Sequence, residues 1–587
     1  MSSLLSRAAQ AVRGVLEGPR PLAGAPCEPL DTSWGPAPVP GPAVPWTGAA
    51  ALGLSVAAAL GETAWDRCPD SGAVLPDAPW DQLGGGVNAW AAARELHAHQ
   101  WFSTLARAGH ETGDRALARA ASDALGEWLL QDVPGHGVAW AHASDAAARL
   151  MHWALGAGWL GDELDPDLRR RMAGSVPAHA AWLERGLSLS EGDHKLVFQA
   201  AGLVVAGLAW PELPEARRRW SRGLALLGRA LPRQLHDDGS ALLGVPALSA
   251  RMVSAVWVAR AFCRENGVAF PADADAALAR LSWTLRVLSE GTGTLPPIGA
   301  CHQAPLLAPW GLDAARSAWN AVVGLGLAPG DATPDADTDA TAAWLSGRVV
   351  APGAPLQAGN EWAMWAFRNS GTVVMLSEAK KRPVRLVFWG ALPGDARPAA
   401  QVHGDGFQLL LDVGDVPVLV DPGADADHLE LGLADAHGTC LVDGRGVPRR
   451  QGQGWAPFSG AVERARVDGR NGAVVVSHDG FGGGRYRRDL RAEGTKLVIT
   501  ERFEGLADGD VEVRWPLGPG FEPEPAKHGW TATHAGVTLA IKLDESLDWR
   551  FERGLVLRDG EPHEACVIVG RGTVTGNRRI RSTFELR

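Results

Sequence analysis

The sequence has a single tyrosine, Tyr486, although it contains 587 residues and 25 tryptophans. Its six cysteines are scattered without a CxxC pair, which argues against a disulfide scaffold and a thiolate zinc ribbon. No long hydrophobic run occurs: the longest, residues 196–210, contains Gln199, so no membrane-spanning helix is predicted. Positive charge is not in excess, since 56 Lys and Arg against 67 Asp and Glu give a net charge of −11. Duplex nucleic acid is therefore not expected as a partner, and neither is a membrane.

Targeting and nucleotide-binding signals are also missing. The first residues lack the unbroken apolar segment of a secretory signal peptide and favour a short amphipathic helix, so a cytoplasmic protein is expected. No GxGxxG opens a βαβ unit, and no phosphate-loop motif occurs. The glycine run GFGGG at 480–484 is interpreted as a connection between strands.

The character of the sequence changes near residue 350. Residues 45–326 repeat apolar side chains at helical spacing between Gly and Pro breakers, which predicts about ten or more helices packed as antiparallel pairs. A closed ring of such pairs, an (α/α) toroid, leaves no helix face uncovered. Residues 1–44 are interpreted as an N-terminal extension, and the Asp-, Thr- and Pro-rich residues 327–350 as a linker. Short β-branched runs fill residues 351–587 and predict an antiparallel β-sandwich of ten or more strands.

Three polar residues stand beside strand-forming sequence in the C-terminal half. His403 precedes one strand, Asp421 closes the run VPVLV, and His437 opens another strand. Two hairpin-like returns would bring them to one sheet face, where two imidazoles and a carboxylate suit Zn²⁺ or a similar divalent ion. The same residues also fit a plain strand-end turn and a loop hydrogen bond.

Six motifs follow one another along the chain: the helix at 140–153, GDHKLVFQAAGLVVAGLAWPELPEARRRW at 192–220, QLHDDGS at 234–240, LPPIGA at 295–300, VHGDGFQLLLDVGDVPVLVDPG at 402–423 and HGTCLVDG at 437–444. In this order they resemble the heparinase II/III-like polysaccharide lyases, over roughly residues 90–505. The resemblance implies a helical toroid followed by a β-sandwich. It also implies a structural zinc held by His403, Asp421 and His437, with Asp405 able to orient a ligand histidine.

The resemblance further implies β-elimination across the 4-linked glycosidic bond of a uronate. Such a site neutralises the substrate carboxylate, removes the C5 proton with a base, and protonates the leaving oxygen. The sequence departs from the family at three positions: its Asn-His pair is Asp193-His194, its tyrosine position holds Leu248, and the aspartate of its PxIGD loop is replaced by Ala300. Since leucine cannot transfer a proton, ordinary uronan depolymerisation is not the expected reaction.

The remaining polar residues supply the candidates for the site. His194 is the candidate base, because its ordinary pKa of ~6.5 suits proton transfer near neutrality, and Lys195 follows it. Arg251 is a candidate for bidentate binding of an anion, and His403 completes the catalytic set. Substrate contacts are expected from Asp193, Arg149 and Trp140: the arginine in an apolar helix needs a carboxylate or a ligand as partner, and the indole can stack on a sugar.

Three functions remain open on the sequence. The first is a lyase-like enzyme with a remodelled site between toroid and sandwich, acting on an acidic saccharide or a related acidic metabolite. The second is a non-catalytic saccharide-binding or scaffold protein that keeps the fold and the metal. The third is a glycoside hydrolase using Asp237, Asp238 and Asp193. The sequence does not fix the oligomeric state, and a homodimer is the protein partner considered.

Overall fold

The computed structural model describes residues 96–587 with internal gaps. The gaps are 133, 136, 189–193, 300–305, 307–318, 324, 329–341, 343–344, 347–361, 391–402, 425–427, 448–449, 452–453, 456–461, 469–472, 482–483 and 559–560. The expected extension at 1–44 and most of the expected linker at 327–350 lie outside the described residues, as do Asp193 and Ala300.

The first half of the described chain is helical, as predicted. Its long helices are α1 (Gln100–Thr112), α2 (Arg115–Gln131), α3 (Ala143–Leu160), α4 (Pro166–Arg185), α5 (His194–Ala209), α6 (Ala216–Ala230), α7 (Pro246–Glu265) and α8 (Ala272–Ser289). The local sequence determines where several of these helices begin. Asp114 caps α2 by accepting from Ala116 N, and Asp165 caps α4 ahead of Pro166, whose fixed φ suits the first helical position.

The helices form two layers. Helices α1, α3, α5 and α7 pack side by side as an inner row, and each is followed along the chain by an outer partner, α2, α4, α6 or α8. The inner helix α5 is buried along nearly all its length, whereas the outer helix α6 exposes four of its arginines, Arg217, Arg218, Arg222 and Arg229. Layered antiparallel pairs of this kind are the arrangement of a helical toroid.

Glycine lets two of these helices approach closely. A Cβ at Gly207 of α5 would lie 2.4 Å from the carbonyl oxygen of Ala216 and 2.7 Å from the amide of Trp220 in α6. At Gly223 of α6 a Cβ would lie 2.7 Å from the carbonyl oxygen of Ala200. The α5–α6 pair therefore packs backbone against backbone, which a larger residue would prevent.

The second half is antiparallel β-structure. Its strands are β1 (Ala363–Phe367), β2 (Thr372–Ala379), β3 (Arg382–Trp389), β4 (Gln408–Val413), β5 (Val416–Leu419), β6 (Cys440–Val442), β7 (Arg450–Gln451), β8 (Gly454–Trp455), β9 (Val462–Asp468), β10 (Ala473–His478), β11 (Arg485–Glu493), β12 (Lys496–Pro516), β13 (Glu524–Ala526), β14 (Gly529–His534), β15 (Val537–Leu543), β16 (Asp548–Arg558) and β17 (Glu561–Leu586).

Two sheets face each other across one apolar core. Strands β1 to β5 pair in sequence order in the smaller sheet. The larger sheet runs β13-β14-β15-β17-β12-β11-β10-β9, with β16 paired to β17 and β6 to β12. Side chains from both sheets share the core, among them Phe388 from the smaller sheet and Ile499 from the larger. The predicted toroid and sandwich are both confirmed.

The two halves meet through the smaller sheet. Leu288 of α8 packs in one apolar cluster with Val374 and Trp389 of the sheet. Arg385 of β3 binds Asp412 within the sheet and donates Nη1 to the carbonyl oxygens of Leu288, at 2.6 Å, and Thr294, at 2.5 Å. One buried guanidinium thus ties the helical half to the sandwich.

No helix among the described residues has the length and apolar character needed to cross a membrane.

Candidate functional site: a histidine-aspartate cluster and a cationic cavity

His403, Asp421 and His437 come together in the β-half, as predicted. Their candidate ligand atoms all lie within 4.8 Å of one another, and all three residues are buried. His403 precedes β4, Asp421 follows β5, and His437 lies between a short 3₁₀ turn, Ala434–Ala436, and β6. The expected proximity is therefore found, but only one of the two expected hairpin returns is, since β4 pairs with β5 in the smaller sheet whereas β6 pairs with β12 in the larger one.

Hydrogen bonds orient His437 and Asp421 inside the cluster. The amide nitrogen of Gln408 donates to the carbonyl oxygen of Val420 at 3.2 Å, so its Oε1 faces His437 Nδ1 at 2.9 Å and accepts from it. Nε2 of His437 then carries the lone pair. Asp421 Oδ1 accepts from the amide of Gly423 at 2.7 Å, which leaves Oδ2 facing His437 Nδ1 at 3.5 Å.

Two buried atoms of the cluster have no hydrogen-bond partner among the described residues: His437 Nε2 and Asp421 Oδ2. Unpartnered polar atoms are costly in a protein interior, and a bound cation would satisfy both. Burial disfavours the charged form of His437, but the carboxylates of Asp421, Asp405 and Asp435 outweigh it and raise its pKa. This anionic surrounding also favours a cation, so the donor set fits a divalent metal.

A cavity of about 630 Å³ opens in the helical half and gathers several predicted residues. His194, at the first turn of α5, and Arg251, in the second turn of α7, both line it, as does Lys195. Its volume is typical of a small-molecule or saccharide subsite. The described lining residues all belong to the helical half. The cavity's location therefore differs from the expected one, a cleft between toroid and sandwich.

Positive charge dominates the cavity wall. Arg185, Lys195 and Arg251 line it together with the imidazoles of His142 and His194, while Asp145 is the acidic residue among the described lining residues. Arg251 also stacks its guanidinium 5.3 Å from the centre of the Phe198 ring. A wall of this composition attracts carboxylate or sulfate groups.

Leu248 lines the same cavity at the position where the resembling family has a tyrosine. It packs with Leu243 and Val245 and is buried. The cavity therefore lacks a phenol at this wall and presents an aliphatic side chain there.

Arg149 and Trp140 lie in the packed interior and are not lining residues of the cavity. Arg149 donates to the carbonyl oxygens of His97 at 3.0 Å and Ala139 at 2.5 Å, so its partners are backbone groups. The indole of Trp140 donates to Asp132 at 2.7 Å. Both positions favour a structural role over the substrate contact expected from the sequence.

The structure also shows where three further candidate site residues lie. His403 belongs to the buried cluster of the β-half and is not among the residues that line the cavity with His194 and Arg251. Asp238 accepts hydrogen bonds from Ser240 and from the backbone amide of Asn369, and neither it nor Asp237 lines the cavity. The hydrolase interpretation thus gains no pair of carboxylates from the described lining residues, and Asp193 lies outside the described chain.

The single tyrosine is a core residue. Tyr486 of β11 is buried and donates to Glu501 Oε2 at 2.5 Å, and burial raises its pKa well above the ordinary value. It has no place in proton transfer at the cavity.

Sequence reasoning missed two lining residues, His142 and Arg185. His142 is the exposed N-cap residue of α3, and Arg185 is the exposed last residue of α4. Their position at the ends of helices on one rim of the toroid was the available signal, because His194 also begins a helix.

Comparison with known proteins identifies both halves. The sequence model of the heparinase II/III N-terminus matches residues 88–273, and that of the heparinase II/III-like C-terminal region matches residues 359–582. A search of curated proteins gives no match.

Solved structures with the same fold include polysaccharide lyases. A heparinase III structure aligns with a TM-score of 0.66 at 15% identity, covering 88% of this chain and 79% of that one. A mutant heparan sulfate lyase HepC from Pedobacter heparinus aligns with a TM-score of 0.57 at 16% identity, covering 87% and 79%. A mutant chondroitin AC lyase from Streptomyces coelicolor A3 aligns with a TM-score of 0.51 at 14% identity, covering 92% and 79%. With both of its halves matched in order and the toroid-sandwich fold in common, the chain belongs to the heparinase II/III-like family of polysaccharide lyases.

Proposed function

We propose that the protein catalyses β-elimination on an acidic saccharide, or a related acidic metabolite, bound in the cationic cavity of its helical half. The observation that carries this proposal is the cavity itself, which brings His194 and Arg251 together on a wall rich in positive charge. The names of the structural relatives support the choice of an acidic saccharide, since one is a heparan sulfate lyase and another a chondroitin AC lyase.

The residues divide the three tasks of the reaction. Arg251, with Arg185 and Lys195, binds the uronate carboxylate and withdraws charge from it, which makes the C5 proton acidic. His194 in its neutral form removes that proton, and the electron pair forms the C4–C5 double bond as the C4–O bond breaks.

The leaving oxygen needs a proton, which Leu248 cannot supply. His142 is the second imidazole among the described lining residues, and we assign this proton to it. An imidazolium is a sufficient acid near neutrality, because the ordinary pKa of histidine is ~6.5.

We also propose that His403, Asp421 and His437 hold a divalent ion, with Zn²⁺ as the ion their donor set suits best. When bound, the ion neutralises the buried carboxylate and fixes the loops that carry its ligands. The cavity residues, which come from the helical half, perform the elimination.

The test is ultraviolet absorbance during incubation with a panel of uronate oligosaccharides, because elimination creates a conjugated 4,5-unsaturated uronate. We expect at least one panel member to give rising absorbance, and Arg251→Gln to reduce the rate at least tenfold. Arg217→Gln, at an exposed position of α6 away from the cavity, is the matched control and should leave the rate unchanged.

One observation favours a second function, a non-catalytic saccharide-binding or scaffold protein. Leu248 replaces the proton-transferring residue at the cavity wall, which is compatible with binding without turnover. A flat absorbance trace on all panel members, with saccharide binding that Arg251→Gln weakens, would support this function over the lyase.

A further inference from the structure

A buried ion pair lies beneath the metal-ligand cluster. Arg488 of β11 and Glu501 of β12 are directly opposite each other in the register of the larger sheet. Both side chains point into the sandwich, where they are fully buried. Nε of Arg488 donates to the two carboxylate oxygens of Glu501 at 3.0 and 3.1 Å.

The same guanidinium reaches two separate loops. Its Nη1 donates to the carbonyl oxygen of Phe407 at 2.5 Å and to that of Gly438 at 2.7 Å. Phe407 lies four residues after His403 and directly before β4, and Gly438 directly follows His437. Arg488 is therefore bonded to both chain segments that supply the histidines of the cluster.

The loop at Phe407 needs such support. Phe407 has a φ of 63°, a left-handed conformation that is unfavourable for a residue other than glycine. The bond from Arg488 to its carbonyl oxygen favours this conformation, and the next residue, Gln408, is the one that orients His437.

The ion pair is itself held in place from two sides. The hydroxyl of Tyr486 donates to Glu501 at 2.5 Å, and the guanidinium carbon of Arg488 lies 4.8 Å from the centre of the Trp515 ring. These contacts leave the arginine little freedom to turn away from the two loops. Asp421 is fixed separately, through the amide of Gly423.

We propose that Arg488 is the positioning residue of the metal cluster, and that Tyr486 and Glu501 fix it for this task. Residues 403 and 437 are far apart in sequence, so a cation that had to gather free loops would pay the entropy of ordering them. Arg488 holds the loops in the binding geometry before the ion arrives. The inference rests on the metal site proposed above.

The test measures the zinc affinity of folded apoprotein by competition with a chromophoric chelator. Arg488→Lys keeps a positive charge for Glu501 but replaces the forked guanidinium by one nitrogen, which cannot serve both loops and the carboxylate. We expect zinc binding 10–100-fold weaker than in the wild-type protein, the usual effect of losing a group that supports metal ligands.

Arg385→Lys is the matched control. Arg385 is also buried, also paired with a carboxylate, and also donates Nη1 to two carbonyl oxygens, but these belong to Leu288 and Thr294. A general loss of stability would lower the melting temperature in both variants, whereas the proposal expects weaker zinc binding in Arg488→Lys alone. Equal zinc affinity in the two variants would overturn it.

Tyr486→Phe covers the case in which Arg488→Lys does not fold. It removes one hydrogen bond from Glu501 and keeps the arginine, so we expect a several-fold loss of zinc affinity in a folded protein. Wild-type affinity in a folded Tyr486→Phe variant would also contradict the inference. Wild-type protein that binds no zinc would instead overturn the metal site, and the inference with it.

Discussion

His194 combines a helix terminus with a solvent-accessible imidazole. As the first residue of α5 it is partly exposed, while the helix behind it is buried and carries the adjoining wall residues Phe198 and Gln199. Gln199 accepts from the amide of Ser188 at 2.8 Å and thereby ties the start of α5 to the chain that follows α4. The imidazole thus sits at a fixed point of the cavity rim.

Replacement of His194 by alanine should abolish turnover and leave the melting temperature nearly unchanged, because the side chain is not part of the core. The absorbance assay and thermal unfolding measure the two quantities on the same sample. His110→Ala, at the exposed end of α1, is the control and should affect neither. Retained activity in the His194 variant would refute its assignment as the base.

The role of a residue could be predicted where it depends on the neighbouring sequence. It was harder to predict where the hydrogen-bond partner is distant along the chain. His403, Asp421 and His437 were found because each adjoins strand-forming sequence and falls in a motif of the family that the sequence resembles. The partners of Arg149 are carbonyl groups of residues 52 and 10 positions away, and no spacing rule marks a backbone acceptor. The cross-strand pairing of Arg488 with Glu501 likewise depends on a register that the sequence does not show.

The sequence predicted the secondary-structure elements more accurately than it predicted the roles of individual side chains. The apolar period of α6 and the alternation of β15 predict their own structure, because burial of one face requires that spacing. The cavity was expected between the halves, yet its described wall is built from helix ends of the toroid alone. The apolar period of a helix indicates which of its faces is buried, but it does not indicate which helix ends will surround a cavity.

The close contact of α5 and α6 is open to a direct test. Gly207→Ala should lower the free energy of unfolding by ~1–3 kcal/mol, because the new methyl group would meet backbone atoms of Ala216 and Trp220 that cannot move aside. Gly174→Ala in α4 meets nothing within 4 Å and should raise it by ~0.5–1 kcal/mol, since alanine favours helix. Denaturant titration gives both values, and a neutral Gly207 variant would show that the helices can separate at little cost.

Buried histidines in both halves make the stability of the whole molecule depend on acid. Burial, with a smaller contribution from Arg251, lowers the pKa of His152 to about 3, and burial lowers that of His478 to about 3. Burial likewise lowers the pKa of His99 and His179 well below the ordinary value. In the unfolded chain these imidazoles take up protons near pH 6.5, so the native state is fully favoured above that pH and loses stability between pH 6.5 and 3.

His152 and His478 should each cost about 1.4 kcal/mol of stability per pH unit through this range. Unfolding free energies measured at pH 7, 6 and 5 should therefore fall steadily, and His152→Gln should reduce the slope by about that amount. His110→Gln, at an exposed site, is the comparison and should keep the wild-type slope. A slope unaltered by His152→Gln would mean that the imidazole takes up its proton in the folded protein.

The hydrogen bonds by which Arg385 joins the two halves affect which sequence changes the fold can tolerate. Arg385 belongs to the sandwich, but two of its acceptors are main-chain carbonyls of the helical half, and a residue of any type offers the same oxygen. The side chain at position 294 can therefore change without loss of this hydrogen bond, whereas position 288 still needs an apolar side chain to pack against Val374 and Trp389. If the β-sandwich of one distant relative were joined to the helical half of another, this hydrogen-bonded contact would form where the sandwich has the arginine and the helical backbone follows the same path.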